Sequence, residues 1–223
     1  MQYRCHEERR QLERAETVVR SGGLVLYPTE TLYALGADAC NAQAAARIVA
    51  LKRRQPDKPL PLIIGGMEQL AQVTSRHPSP LQELADAFWP GPLSLLVPAR
   101  QELAEAVRDA QGWTSVRWTP HPVAGELCLR CGRPIIATSA NLSGQRAVWR
   151  SRDLDPSLTS GVDLVLDAGP PPSGGPPSTL VRMGEVEREL VILREGAITA
   201  DRLRSAGYSL VRPGTGEASG GIV

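Results

Sequence analysis

Cationic, hydroxyl and amide side chains gather at the ends of apolar runs in this 223-residue chain. Pro28-Thr29-Glu30-Thr31 follows the run Leu24-Val25-Leu26-Tyr27, and Ser139-Ala140-Asn141 follows Pro134-Ile135-Ile136-Ala137-Thr138. Between them lies the basic triplet Lys52-Arg53-Arg54, with Lys58-Pro59-Leu60 shortly after it. A lysine supplies a point charge and an arginine a bidentate fork, the pairing that polyphosphate or carboxylate binding uses. Serine, threonine and asparagine add hydrogen bonds to phosphate oxygens or a ribose. In open α/β sheets ligands lie beyond the carboxyl ends of the strands. The three clusters therefore point to an enzyme that uses a nucleotide.

Each cluster also has a plainer reading. Lys52 and Arg54 are two apart and share a helical face only if the helix has unwound there; otherwise the triplet is a solvated helix end complementing the dipole. The segments around Thr29, Thr31 and Ser139 could be ordinary turns stabilised by their own side chains.

Periodicity supplies the elements that must position these groups. Residues 6–20 read as a helix ended by Gly22-Gly23, and 24–27 as a strand. Asn41 caps a helix over 42–51 that delivers the basic triplet at its C-terminus. Further strands are expected at 61–64, 93–97, 114–118, 163–166, 179–182 and 190–193, and helices at 67–73, 80–89 and 123–129. Strands alternate with helices at first and dominate the last third. This order predicts one α/β domain over 1–210, with a twisted open sheet of mixed parallel and antiparallel strands flanked by helices. The Pro/Gly-rich stretch 169–177 reads as a loop across the mouth of the site, and 211–223 as a disordered tail.

Composition removes several classes. Aromatic residues are only 4% of the chain, which argues against a platform of base-stacking rings, and a net charge of +1 does not mark a nucleic-acid binder. No P-loop, dinucleotide-binding glycine pattern or nucleophile elbow occurs. His6, His77 and His121 are not spaced with ligands for a metal, so no protein-bound metal site is expected. Cys128-Leu129-Arg130-Cys131 is a lone C-x-x-C, read as two buried thiols on one helix. Nothing resembles a signal peptide or a membrane span, which predicts a cytoplasmic protein.

In order along the chain, the clusters resemble the motifs of the YrdC/TsaC family, the threonylcarbamoyl-AMP synthases. They stand as Pro28-Thr29-Glu30-Thr31-Leu32-Tyr33-Ala34-Leu35-Gly36, Lys52-Arg53-Arg54 with Lys58-Pro59-Leu60, and Ser139-Ala140-Asn141-Leu142-Ser143-Gly144. Trp89-Pro90-Gly91-Pro92, Ser115-Val116-Arg117, Ser178-Thr179 and Arg194-Glu195-Gly196 match as well. Ala34 replaces a frequent glycine and Gln55 a frequent proline; neither change removes a charge or a hydroxyl.

The resemblance implies a YrdC-like domain with a concave basic site, in the short single-domain bacterial form. It implies ATP, L-threonine and bicarbonate as substrates, Mg2+ with the ATP, and threonylcarbamoyl-AMP and pyrophosphate as products. A tRNA threonylcarbamoyl-transferase complex would then modify adenosine 37 of tRNA, and a weak tRNA or double-stranded RNA contact is possible. By the same resemblance Lys52, Arg54, Ser139 and Asn141 are the catalytic and nucleotide-binding set, completed by Ser178 and Arg194. Thr31, Tyr33, Lys58 and Arg117 meet the threonine. The competing readings are an RNA-binding module, a YrdC-like paralogue with another acyl acceptor or none, and a regulatory nucleotide-binding domain.

Overall fold

The computed structural model describes residues 6–55, 57–75 and 79–211. Helix α1 (His6–Arg20) buries Leu12, Ala15 and Val19 along one stripe. Gly22, at φ +81°, turns the chain into β1 (Val25–Pro28). The Pro-Thr-Glu-Thr turn then leads into β2 (Tyr33–Gly36), a strand not anticipated from sequence, which pairs antiparallel with β1. Asn41 caps α2 (Ala42–Lys52) as expected, its Oδ1 accepting from the Ala44 amide at 2.9 Å.

β3 (Leu62–Ile64) follows, then a 3-10 turn with the short α3 (Leu70–Val73), α4 (Ser79–Phe88), β4 (Leu93–Pro98) and β5 (Trp113–Trp118). Helix α5 (Pro122–Cys131) is capped by His121 and closed by Gly132. After it come β6 (Ile135–Ile136), β7 (Thr138–Ser139), α6 (Pro156–Gly161), β8 (Leu164–Val165), β9 (Thr179–Met183) and β10 (Glu189–Arg194). The last elements are α7 (Ala200–Ser205) and β11 (Ser209–Val211). The helices α6 and α7 and the strand β11 lie outside the sequence reading. Val211, assigned there to the tail, pairs with Val191 in β11, and the rest of that tail lies outside the described residues.

The strands form two sheets rather than one. The larger has the order β11-β10-β9-β4-β5-β3-β6, the smaller β7-β2-β1-β8, and both mix parallel with antiparallel pairs. The apolar run 134–138, with the Ser139 that follows it, is split between them: β6 pairs with β3 in the larger sheet, β7 with β2 in the smaller. One face of the larger sheet carries Val181, Leu95, Val116, Leu62 and Ile136 in register, and these belong to the main core with Ala45 and Ile48 of α2 and Leu84 of α4. A second cluster joins α1 and α5 to Val25, Tyr27, Ile63 and Ile135.

Cys128 and Cys131 sit inside that second cluster as free thiols. Burial pushes the Cys128 thiol up and the Cys131 thiol up to about 12, so neither is a thiolate at neutral pH. Replacing both with serine is expected to leave turnover essentially unchanged while lowering the melting temperature. Loss of turnover in the folded double variant would restore a catalytic role to the pair.

Candidate active site

A second row of side chains lies on the opposite face of the larger sheet. Arg194 is in register with Leu180, Leu180 with Ser94, and Arg117 with Ile63. Extending the β4–β5 register by one residue sets Ser94 beside Arg117. Above this row lies a cavity of about 400 Å³, within the usual size of small-molecule sites. Its other walls are the end of α2, the Thr29–Tyr33 segment and the loop after β7. The cavity therefore covers a sheet face between the two sheets, instead of lying only beyond strand ends. Single alternation of side chains along β4 and β5 turns Ser94, Ser115 and Arg117 to this face and their neighbours into the core.

All ten site residues expected from sequence line this one cavity: Thr31, Tyr33, Lys52, Arg54, Lys58, Arg117, Ser139, Asn141, Ser178 and Arg194. Five are cations, and among the described residues the lining contains no carboxylate. Among the described residues no cluster of three or more His, Cys, Asp or Glu could hold a metal ion.

Helix α2 unwinds where the basic triplet needs it to. Arg53 takes the left-handed conformation (φ 51°) and is exposed, so Lys52 and Arg54 both turn into the cavity. Lys52 is 1% exposed, and its Nζ donates to the carbonyls of Ser139 and Asn141, while its own carbonyl accepts from the Ser143 amide at 3.1 Å. Arg54 donates through Nε to the Lys58 carbonyl (2.8 Å) and through Nη2 to the Pro59 carbonyl (3.0 Å). Burial, with Arg54 nearby, brings the Lys52 pKa down to about 7. Burial, then neighbouring Arg194, lowers Arg54, and burial lowers Arg194. These cations are short of negative charge, which is the electrostatic condition of a site made for an anion.

The Ser139–Gly144 segment forms the opposite wall. Asn141 Nδ2 donates to the carbonyls of Leu142 (2.9 Å) and Gln145 (2.7 Å), and its buried Oδ1 accepts nothing from the described residues. Gly144 lines the cavity at φ +83°, a conformation that glycine adopts without strain. Ser178 bonds Ser94 (Oγ–Oγ 2.8 Å), and Arg194 Nη2 donates to the Ser178 carbonyl at 3.1 Å.

At the other end, Arg117 is buried against Glu30, and burial lowers its pKa to about 10. Tyr33 donates to Asp167 Oδ1, and burial, followed by that carboxylate, pushes the phenol up. Thr29 and Thr31 face each other, Oγ1 to Oγ1, at 3.4 Å. The Pro/Gly stretch is tied to the same corner. Ser173 N and Oγ donate to the Glu30 carbonyl, Gly174 N donates to Thr31 O at 3.0 Å, and His121 Nε2 meets Pro170 O at 2.9 Å. Sequence reading assigned no role to Ser94, Asp167 or Glu30. Ser94 and Asp167 stand in no quoted motif, and only register and tertiary contact bring them to the site.

The sequence signature of the Sua5/YciO/YrdC family, described as "Telomere recombination", matches residues 17–196. The chain belongs to this family. Members of the Sua5/YciO/YrdC family similar to it include the threonylcarbamoyl-AMP synthase of Methylococcus capsulatus, 42% identical over 60% of this chain and 73% of that protein. The Bacillus subtilis threonylcarbamoyl-AMP synthase is 32% identical over 87% of this chain, which spans 56% of that relative's length. The crystal structure of Pyrococcus abyssi Sua5 complexed with L-threonine superposes with a TM-score of 0.83 at 30% identity, covering 92% of this chain and 59% of that one. Escherichia coli YciO shares the fold, with a TM-score of 0.71 at 22% identity over 85% of this chain and 90% of that one. The mixed α/β architecture is thus the family's.

Proposed function

We propose that the protein is an L-threonylcarbamoyladenylate synthase, an ATP-dependent nucleotidyltransferase acting in tRNA modification. The observation that carries this reading is the convergence of five cations and no carboxylate on the lining of one cavity, beside the hydroxyls and amide of three motifs. The relatives named above, one of them a complex with L-threonine, support it. In the reaction the amine of threonine attacks bicarbonate to give a carbamate and water. A carbamate oxygen then attacks the α-phosphorus of ATP, and the bond to the β-phosphate breaks to release pyrophosphate.

Every reactant is anionic or zwitterionic, so catalysis is positioning plus charge neutralisation. Lys52 and Arg54 hold the triphosphate and the charge developing at phosphorus. Two of the three Lys52 protons already meet carbonyls, which fixes the direction of the third. Ser139 takes the α-phosphate region and Asn141 the carbamate region beside it. Ser178 and Arg194 complete the nucleotide site. Thr31, Tyr33 and Lys58 surround the amino acid, and Arg117 meets its carboxylate.

The described lining residues do not form a magnesium cage, because none of them is a carboxylate. Magnesium would enter only as part of the ATP, held by phosphates and water. Among the described residues no helix is long and apolar enough to cross a membrane, and the reading places the protein in the cytoplasm, upstream of the transferase that consumes its product.

The test is pyrophosphate release from ATP and bicarbonate with and without L-threonine, with mass analysis of the nucleotide product. Threonine-dependent release and an AMP adduct carrying the threonylcarbamoyl group are expected. ATP binding without release would refute the synthase reading.

A further inference from the structure

Glu30 is held at three points. Its Oε1 abuts Arg117 Nη1, its Oε2 accepts from Thr119 Oγ1 at 3.0 Å, and its backbone carbonyl accepts from Ser173 N at 3.1 Å and Ser173 Oγ at 2.8 Å. The ion pair is buried, with 9% of the Arg117 side chain and 18% of the Glu30 side chain exposed. Arg117 lines the cavity and Glu30 stands behind it. A guanidinium binds a carboxylate best through two parallel N–H groups in its plane. With Nη1 taken by Glu30, the edge left to a ligand is Nε with Nη2.

The pair also divides the cavity by charge. Lys52, Arg54 and Arg194 lie toward the Ser139 and Ser178 walls, where their donors meet carbonyls and a hydroxyl instead of a carboxylate. Arg117 has its charge balanced by Glu30. A polyanion suits the first end, and a ligand of no net charge, carrying an ammonium beside its carboxylate, suits the second.

We infer that Glu30 is a positioning residue, which clamps Arg117 so that its free edge receives the α-carboxylate of a zwitterionic amino-acid substrate. The inference rests on the synthase reading, in which Arg117 meets the threonine carboxylate, and adds Glu30 to that subsite. It is tested in the full chain with Glu30→Gln and Glu30→Asp, measuring KM for L-threonine and for ATP separately and following the Arg117 Nε–H by NMR.

Glu30→Gln should raise the threonine KM by at least about tenfold, with the ATP KM held within about twofold. Glu30→Asp, which keeps the charge at shorter reach, should recover part of that loss. The Arg117 Nε–H signal should shift and broaden in Glu30→Gln, because the guanidinium loses its fixed orientation. An unchanged threonine KM overturns the inference, as do a parallel rise in both constants, an aspartate variant no better than glutamine, or an unaltered Arg117 signal. If the glutamine variant does not fold, the aspartate variant decides alone: an intermediate threonine KM supports the clamp and a wild-type value removes it. A wild type without threonine-dependent turnover would sink the synthase reading, while the NMR signature would still judge the clamp.

Discussion

Replacing Lys52 with alanine is expected to lower turnover by at least about 10²-fold, the scale of losing one preorganised charge donor in a water-poor site. The loss should exceed that of a simple phosphate contact, because the ammonium also binds the Ser139 and Asn141 carbonyls and so shapes the wall that carries them. The same side chain predicts a proton signature. Burial lowers its pKa to about 7, so at pH 8 most molecules hold it neutral. A triphosphate placed beside it favours the charged form. ATP binding at pH 8 should therefore take up close to one proton, seen by calorimetry in buffers of different ionisation enthalpy. Lys52→Ala should abolish the uptake. Arg54→Ala should lower turnover comparably while keeping part of it.

The linked stability has a definite sign. The folded value lies below the ordinary 10.5, so between about 7 and 10.5 the unfolded chain binds more protons and this group favours the fold increasingly as pH rises. Wild-type turnover in a folded Lys52→Ala protein, or ATP binding without proton uptake at pH 8, would contradict the assignment.

Lys52 also shows what sequence could and could not reveal. Its direction depended on whether α2 unwinds after it, and only the left-handed Arg53 decides that. Local signals were sufficient for α1, α2 and α5, where an apolar stripe, the Asn41 cap and glycines mark the limits. They were insufficient for β2, whose Tyr-Ala-Leu-Gly sequence is buried on both faces and so lacks alternation. They also failed for the run 134–138 and the Ser139 after it, because a division between two sheets leaves no trace in hydrophobicity. Within the site, all ten residues expected from sequence line the cavity, since each travels with its own strand or helix end. The partners of those residues were hidden. Glu30 meets Arg117 and Tyr33 meets Asp167 across separations fixed only by register and by the path of the Pro/Gly loop.

The division between the sheets makes Gly36 the position where one added methyl group should do most damage. A Cβ there would lie 2.0 Å from the Ile136 carbonyl oxygen and 2.7 Å from the Tyr27 ring. Neither neighbour is a flexible end that can swing aside. The Tyr27 hydroxyl donates to that same carbonyl at 2.8 Å, and the Ile136 amide donates to Ala37 at 2.9 Å. Relief therefore requires β2 to move away from β6, breaking both bonds where the two sheets meet. Overpacking and two lost buried hydrogen bonds together should cost about 3 kcal/mol or more. For a chain of this length that corresponds to a fall of roughly 6–12 °C in melting temperature. Because β2 carries Tyr33 and Ala34 into the cavity, turnover should fall as well. Gly125→Ala is the control: its Cβ finds nothing nearer than 3.8 Å, within α5. There alanine should be neutral or stabilising, by up to about 1 kcal/mol from helix propensity. Equal melting temperatures for the two variants would show that the close approach at Gly36 is not what joins the sheets.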